Sequence, residues 1–274
     1  MTGAGENGAG ENGAGIDNGR ERDSLSRSAL LTDPEIRAFL EREKLDALAE
    51  FAAGAGHEIN NPLAIIGGHA QLLLGEIDHP AHKRHLAVIL AQVKRAYEMI
   101  ADVRLYARPP IPSPERFDPT AWLNEFLDTW RERYPDWPGT VTETFDPLPD
   151  TFVSDRAVWG TILDALLKNA VEALGRRSDG RIFLFAEAVS PDRIRIVAED
   201  NGPGVAESIR PLIFSPYFSG RASGRGLGFG LPKADALVRT LGGTLELAAP
   251  QKSPTGCRFV LMIPTGAKKL KMEN

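Results

Sequence analysis

A histidine and a carboxylate lie side by side at His57 and Glu58, and Asn61 follows one helical turn later. A neutral imidazole with one nitrogen held by a carboxylate presents its other nitrogen as a nucleophile. Pro62 removes the helical hydrogen bond to the carbonyl of Glu58, which costs about 3 kcal/mol inside a helix. Such a distortion beside a histidine favours a nucleophilic site, although a plain solvated helix face is the alternative.

A turn with two glycines, Asp200-Asn201-Gly202-Pro203-Gly204, directly follows a strand-like run. A carboxylate at a strand end can accept a hydrogen bond from the exocyclic amine of adenine, and the glycines let the chain turn tightly against the base. The turn is therefore a candidate nucleotide contact. An ordinary turn after a strand is the alternative.

Glycines also alternate over residues 224–230, just before a helical segment. Backbone N–H groups in such a loop can approach phosphates, and the N-terminus of the following helix favours anions. Arg221 comes shortly before this loop and is a candidate phosphate contact. A mobile solvent loop and a plain surface charge are the alternatives.

Two long apolar stripes predict a helical hairpin ahead of these loops. Apolar residues recur every three or four positions from Leu45 to Leu73 and again from Leu86 to Ala107, with a turn at residues 75–80. Thr32 and Glu35 have the spacing of a capping box at its start. Each stripe has one partner within the chain, so enclosing a core requires a second copy. The sequence predicts a homodimer whose antiparallel four-helix bundle takes residues 32–108 from each chain.

Residues 115–265 have a mixed pattern that predicts an α/β sandwich, one sheet with helices on one face. The fold class of the whole chain is therefore α+β. The predicted helices and strands of this domain are, in chain order, Pro119–Arg133, Thr140–Thr144, Asp155–Leu174, Arg181–Ala188, Arg193–Glu199, Leu231–Leu241, Thr244–Ala248 and Cys257–Ile263.

Three further segments lack the pattern of a folded domain. Residues 1–31 are rich in glycine and polar residues and predict a disordered tail. Residues 109–114 contain four prolines and predict a stiff linker. The charged residues 266–274 predict a frayed tail.

Composition excludes several classes of protein. The net charge is −5 and the sole cysteine is Cys257, so there is no global basic field for nucleic acid and no intramolecular disulfide. The longest uncharged stretch, residues 59–75, is shorter than the roughly 20 apolar residues of a membrane span. We expect a cytoplasmic protein.

Several stretches resemble the motifs of two-component sensor histidine kinases, most closely the nitrogen-regulation type. Residues 56–63 resemble the H-box, 166–173 the N-box, 200–204 the first glycine box and 213–219 the phenylalanine box before the ATP lid. The resemblance covers about residues 45–265. It implies a dimerisation and phosphotransfer hairpin followed by an ATP-binding domain of the GHKL type.

The resemblance also implies a role for each motif residue. His57 would accept the γ-phosphoryl group of ATP, Glu58 would orient or deprotonate it, and Asn61 would align water that dephosphorylates the partner. Asn169 would bind Mg²⁺, which takes oxygen ligands together with nucleotide phosphates. The phosphoryl group would pass to an Asp of a separate response regulator. The expected nucleotide contacts are Asn169, Asp200, Gly202, Gly204, Arg221, Gly224, Gly226, Leu227 and Gly228.

Two other functions stay open. A non-kinase GHKL ATPase would use ATP to drive a conformational clamp, but a clamp needs no exposed histidine–glutamate pair. A non-enzymatic dimeric scaffold would have a degenerate ATP site, as suggested by Ala165 and Cys257 where the family often has Asn and Thr. We expect the sensory input to come from a separate protein or domain.

Overall fold

The computed structural model describes residues 33–218 and 228–265. Residues 33–47 belong to one compact unit and the residues from Leu48 onward to a second. Four sequence predictions lie outside the described residues: the tail over residues 1–31, Thr32 of the capping box, the loop positions Arg221, Gly224, Gly226 and Leu227, and the tail over residues 266–274.

Both helices of the predicted hairpin are confirmed. Helix α1 is Pro34–Glu76 and helix α2 is Pro80–Ala107. The Asp33 carboxylate accepts the N–H of Glu35 at 2.8 Å at the start of α1. Pro62 lies inside α1, as the sequence indicates.

Helices α1 and α2 pack closely where α1 has glycine. A Cβ atom at Gly56 would lie 3.3 Å from Cγ2 of Ile100, and one at Gly67 would lie 3.3 Å from Cγ1 of Val93. Within the single chain this contact covers only part of the apolar surface. Large apolar side chains that remain exposed on the hairpin are Phe39, Leu40, Phe51, Ile59, Ile65, Ile66, Leu72, Leu73, Val88 and Ile89.

The second half of the chain contains a five-stranded sheet and a separate two-stranded sheet. The strands of the large sheet are β2 (Thr140–Phe145), β4 (Arg181–Ser190), β5 (Arg193–Asp200), β6 (Thr244–Ala248) and β7 (Arg258–Pro264). Their order in the sheet is β2-β4-β5-β7-β6, in which β2 runs parallel to β4 and the other neighbours are antiparallel. The small sheet pairs β1 (Glu115–Phe117) with β3 (Phe152–Ser154) and was not predicted.

Helices α3 (Pro119–Glu132), α4 (Arg156–Leu174) and α5 (Gly230–Thr240) cover one face of the large sheet. Alternate residues of β4, Ile182, Leu184 and Ala186, are buried against α4, whose Leu163 and Leu167 are fully buried. This alternation is the period of a strand with one covered face. The predicted sandwich is confirmed.

None of the helices in the described residues combines enough length with enough apolar character to cross a membrane.

Candidate functional site

His57 is exposed on α1, as its position off the apolar stripe predicts. Glu58 and Asn61 are exposed as well. Residues three and four apart lie on one helix face, so His57 and Asn61 present their side chains to the same surroundings. The structure thus places an imidazole and an amide on one accessible helix face, with an exposed carboxylate at the position next to the imidazole.

The helix is supported from α2 beside the predicted distortion. The hydroxyl of Tyr97 donates to the backbone carbonyl of Asn60 at 3.2 Å. Pro62 has no N–H for the carbonyl of Glu58, four residues earlier. The Tyr97 hydroxyl donates to a different carbonyl, that of Asn60, and joins α2 to this turn of α1.

Asp200 is the last residue of β5 and is only 2% exposed. Its Oδ1 accepts the N–H of Gly202 at 2.8 Å and the N–H of Cys257 at 3.3 Å. Burial raises the pKa of the Asp200 carboxyl, and the hydrogen bonds from Gly202 and Cys257 oppose that rise in pKa. The carboxylate is therefore held by donors but remains short of the solvation that water would give it.

Two glycines, one in the connection between β6 and β7 and one in the turn after β5, let that connection pass close to the backbone of Asp200 and its turn. Gly256 has φ +123°, and a Cβ atom there would lie 1.8 Å from the carbonyl oxygen of Asp200. Gly204 has φ +76°, and a Cβ atom there would lie 3.0 Å from the carbonyl oxygen of Gly256. Side chains at these two positions would push apart the end of β5, the turn after it and the connection between β6 and β7. The two glycines therefore permit their close approach.

Cys257 supports Asp200 through its backbone. Besides the N–H bond to Oδ1, its carbonyl accepts the N–H of Asp200 at 2.9 Å. The departure from the family's usual threonine therefore leaves two backbone hydrogen bonds between these residues in place. These two backbone hydrogen bonds weaken the argument that a cysteine at position 257 makes the ATP site degenerate.

Asn169 lies on α4 beside the Asp200 turn. Ala173, one helical turn after Asn169, would be 3.7 Å from a Cβ atom on Gly202. Residues four apart share a helix face, so Asn169 and the turn border the same space. Ala165 on the preceding turn is buried in the core, where it packs with apolar side chains.

The amide oxygen of Asn169 is a suitable ligand for Mg²⁺ that is bound together with a polyphosphate. Among the described residues no group of three or more His, Cys, Asp or Glu side chains could hold a metal ion. Mg²⁺ keeps several waters and is usually bound through one or two protein oxygens plus substrate phosphates. An amide oxygen from Asn169 is a ligand of that kind.

Phe218 and Gly228, the described residues on either side of positions 219–227, lie close together. Gly228 has φ +71°, and a Cβ atom there would lie 2.2 Å from the carbonyl oxygen of Phe218. A side chain at position 228 would clash with Phe218, so only glycine allows the chain just before α5 to lie this close to the phenylalanine box. Of the predicted loop contacts, Gly228 is within the described residues.

Sequence reasoning missed the contacts of this region with α2. Lys233 on α5 forms an ion pair with Asp102, and the Phe229 ring lies edge-on to Tyr106, with ring centroids 5.5 Å apart. The Tyr217 ring packs against the same Phe229 ring, with ring centroids 4.9 Å apart. These residues are far apart in sequence, and no spacing pattern connects them.

A second ion pair joins α2 to the residue before Asn169. The ammonium of Lys168 lies 3.1 Å from the Glu98 carboxylate. Burial lowers the pKa of Lys168, but the hydrogen bond to Glu98 and the negative charges of Glu98 and Glu172 together outweigh burial, so the pKa is raised. Both predicted nucleotide-binding helices are thus in contact with the hairpin.

Asn201 was also missed. Its Oδ1 accepts the N–H of Arg181 at 2.7 Å and its Nδ2 donates to the carbonyl of Asp179 at 2.8 Å. Asn201 therefore joins the Asp200 turn to the segment before β4. An Asn within a glycine turn was the available signal, because such residues often bond to nearby backbone.

The comparisons with known proteins agree with this architecture. Residues 47–110 match the His Kinase A (phospho-acceptor) domain, and residues 154–267 match the family of histidine kinase-, DNA gyrase B- and HSP90-like ATPases. Both matches occur in one chain and in this order. The chain belongs to the two-component sensor histidine kinases.

Among relatives of this chain, AtoS of Escherichia coli (strain K12), a signal transduction histidine-protein kinase, is 28% identical over 83% of the chain and 36% of its own length. The chain thus spans little more than a third of AtoS. Full-length ShkA in complex with AMPPNP gives a TM-score of 0.66 at 24% identity, over 79% of this chain and 46% of that one. ThkA in complex with the response regulator protein TrrA gives a TM-score of 0.57 at 22% identity. That match covers 92% of this chain and 67% of the ThkA chain. These two structures show the same fold.

Replacing Asp200 with Asn is expected to have opposite effects on the stability of the protein and on nucleotide binding. Because its pKa is raised in the folded state, wild type loses stability as the pH rises from the ordinary Asp pKa through the raised one. D200N removes that loss, since an amide oxygen still accepts both N–H groups without a charge. The affinity for ATP should fall about 10- to 150-fold, because a charge-assisted hydrogen bond is lost.

Urea unfolding of the ligand-free protein over a pH series and calorimetric titration with ATP measure the two effects. The exposed Asp192, in the turn between β4 and β5, provides the matched control D192N. Equal pH dependence of unfolding in wild type and D200N would contradict the buried charge. Unchanged ATP affinity would reduce the Asp200 loop to a turn.

Proposed function

We propose that this chain is an ATP-dependent protein-histidine kinase that phosphorylates His57 and then transfers the phosphoryl group to an Asp of a response regulator. The observation that carries the proposal is an exposed His57–Glu58 pair on the hairpin together with a glycine-lined, buried Asp200 in the ATPase fold. The histidine kinase domains that match the two regions support it.

In the proposed reaction an imidazole nitrogen of His57 attacks the γ-phosphorus of ATP. The bond from that phosphorus to the β,γ-bridging oxygen breaks, and ADP leaves. Glu58 holds the other imidazole nitrogen and takes up its proton. Phosphoryl transfer depends mainly on positioning and on neutralising charge. Mg²⁺, held by Asn169 and the phosphates, supplies charge neutralisation when bound.

Adenine is proposed to bind against Asp200, whose carboxylate accepts the exocyclic amine, with Gly202 and Gly204 beside the base. Gly228 and the loop positions Arg221, Gly224, Gly226 and Leu227 are proposed to contact the phosphates. The solved ShkA complex with AMPPNP supports nucleotide binding by this fold.

The alternatives have less support. A conformational clamp does not account for the exposed His57–Glu58 pair or for the match of residues 47–110 to the phospho-acceptor domain. A scaffold with a degenerate site does not account for the backbone support that Cys257 gives Asp200.

The protein is further proposed to be a cytoplasmic homodimer that takes its signal from a separate protein or domain. Ile59, Ile66 and Leu73 recur at heptad spacing on α1 and are 45%, 48% and 43% exposed in the single chain. Such a repeat is typical of helices that pack against other helices. A second copy of the hairpin would cover it.

Replacing Ile66 with Glu is expected to break the dimer. Burying an unpaired charge costs several kcal/mol, so the dimer dissociation constant should rise at least about a hundredfold. The control is I111E, because Ile111 in the linker is 94% exposed. Sedimentation equilibrium measures both variants, and a dimer of I66E as tight as wild type would contradict the proposed interface.

Replacing His57 with Gln is expected to abolish autophosphorylation while ATP still binds, since glutamine has no nucleophilic ring nitrogen. Label from γ-³²P-ATP that is acid-labile and base-stable measures the phosphohistidine. The exposed His69 on the same helix gives the control H69Q, which should label like wild type. Labelling of H57Q near the wild-type level would exclude His57 as the acceptor.

Replacing Asn61 with Ala is expected to separate the two activities of the hairpin. The Asn61 amide is too weak a base to activate His57 but can hold a water in line with an acyl phosphate. N61A should keep substantial autophosphorylation and lose phosphatase activity toward the phosphorylated regulator. Both rates are measured in one preparation with a thermal melt. A parallel fall in both rates with a lower melting temperature would make Asn61 a structural residue at the Pro62 turn.

A further inference from the structure

Glu199, the residue before Asp200, is a carboxylate that is only 2% exposed on the sheet face away from the helices. Burying a charge is costly unless hydrogen bonds and an opposite charge compensate. The cost indicates that something at this position needs the carboxylate, because an apolar side chain would fit a covered strand position with less penalty.

The carboxylate holds the connection between β6 and β7. Its Oε1 accepts the N–H of Gln251 at 2.7 Å and also the N–H of Lys252, and its Oε2 accepts from Nη1 of Arg258 at 3.2 Å. Arg258 is also the partner of Glu199 across β5 and β7. The connection, residues 249–257, is longer than the usual two to five residues of a hairpin loop, so it needs such attachment points.

The far end of the same connection is the part that supports Asp200. Gly256 presses against the Asp200 carbonyl and Cys257 donates to the Asp200 side chain. Successive residues of a strand point to opposite faces. Glu199 and Asp200 therefore hold one loop from the two faces of the β5 end, Glu199 at residues 251–252 and Asp200 at residues 256–257.

We propose that Glu199 is a positioning residue for adenine recognition: by anchoring the connection at Gln251 and Lys252, it keeps the Cys257 N–H at Asp200 Oδ1 and so fixes the carboxylate that receives the adenine amine. This inference rests on the proposed nucleotide role of Asp200. Glu199 itself does not contact the nucleotide in this account.

The test compares ATP with inosine triphosphate, which carries a carbonyl oxygen in place of the exocyclic amine. Calorimetric titration of the full chain gives the dissociation constant for each nucleotide. In E199A the constant for ATP should rise about tenfold, an effect typical of losing a group that orients a binding residue. The constant for inosine triphosphate should stay unchanged, so the preference for ATP falls. A general loss of structure would not shift that preference.

The matched control is E187A. Glu187 forms an ion pair with Arg195, its cross-strand partner on the same sheet face, rather than with residues 249–257. E187A should keep the wild-type preference for ATP over inosine triphosphate. In the ligand-free protein, hydrogen exchange at the Cys257 amide should be faster in E199A than in wild type or E187A, because that N–H has lost its fixed position.

A second variant guards against misfolding, which a thermal melt of E199A detects. E199Q keeps an oxygen for the two N–H groups but loses the charge, so its preference for ATP should fall in the same direction by less. A wild-type preference in E199A, or in E199Q where E199A does not fold, would overturn the role of Glu199 alone. Failure of wild type to bind ATP would overturn the proposed function and this inference with it.

Discussion

The buried carboxylate of Asp200 is the constraint on which the nucleotide domain depends. A carboxylate out of water is costly unless donors compensate it, and its donors here are the N–H groups of Gly202 and Cys257. These belong to a turn and to the end of a distant connection. Both must reach one oxygen, which requires β7 beside β5 in the sheet and glycine at Gly256.

The same constraint accounts for which residues can vary at the site. Backbone N–H groups supply the support, so a cysteine at position 257 serves where the resemblance leads one to expect threonine. At Gly256 no side chain fits. The ion pairs of Lys168 and Lys233 with α2 add a different kind of coupling, because they attach the helices flanking the proposed nucleotide site to the hairpin that bears His57.

Local periodicity allowed the helices and most strands to be predicted. Strand β6 has the predicted bounds, and α1 and α2 follow their apolar stripes. Strands β1 and β3 were missed because three residues are too short to show alternation. The exposure of His57 followed from residue pattern. The burial of Asp200 was not predicted, and the Lys233–Asp102 pair joins residues that only the tertiary fold brings together.

The most direct test of this account is the titration of the Asp200 carboxyl carbon by ¹³C NMR, with and without ATP. Burial should place the pKa of Asp200 above the ordinary value in the ligand-free protein. Donation from the adenine amine favours the charged form, so ATP should lower that pKa, while inosine triphosphate should not. An Asp200 pKa that is the same with and without ATP would contradict the account.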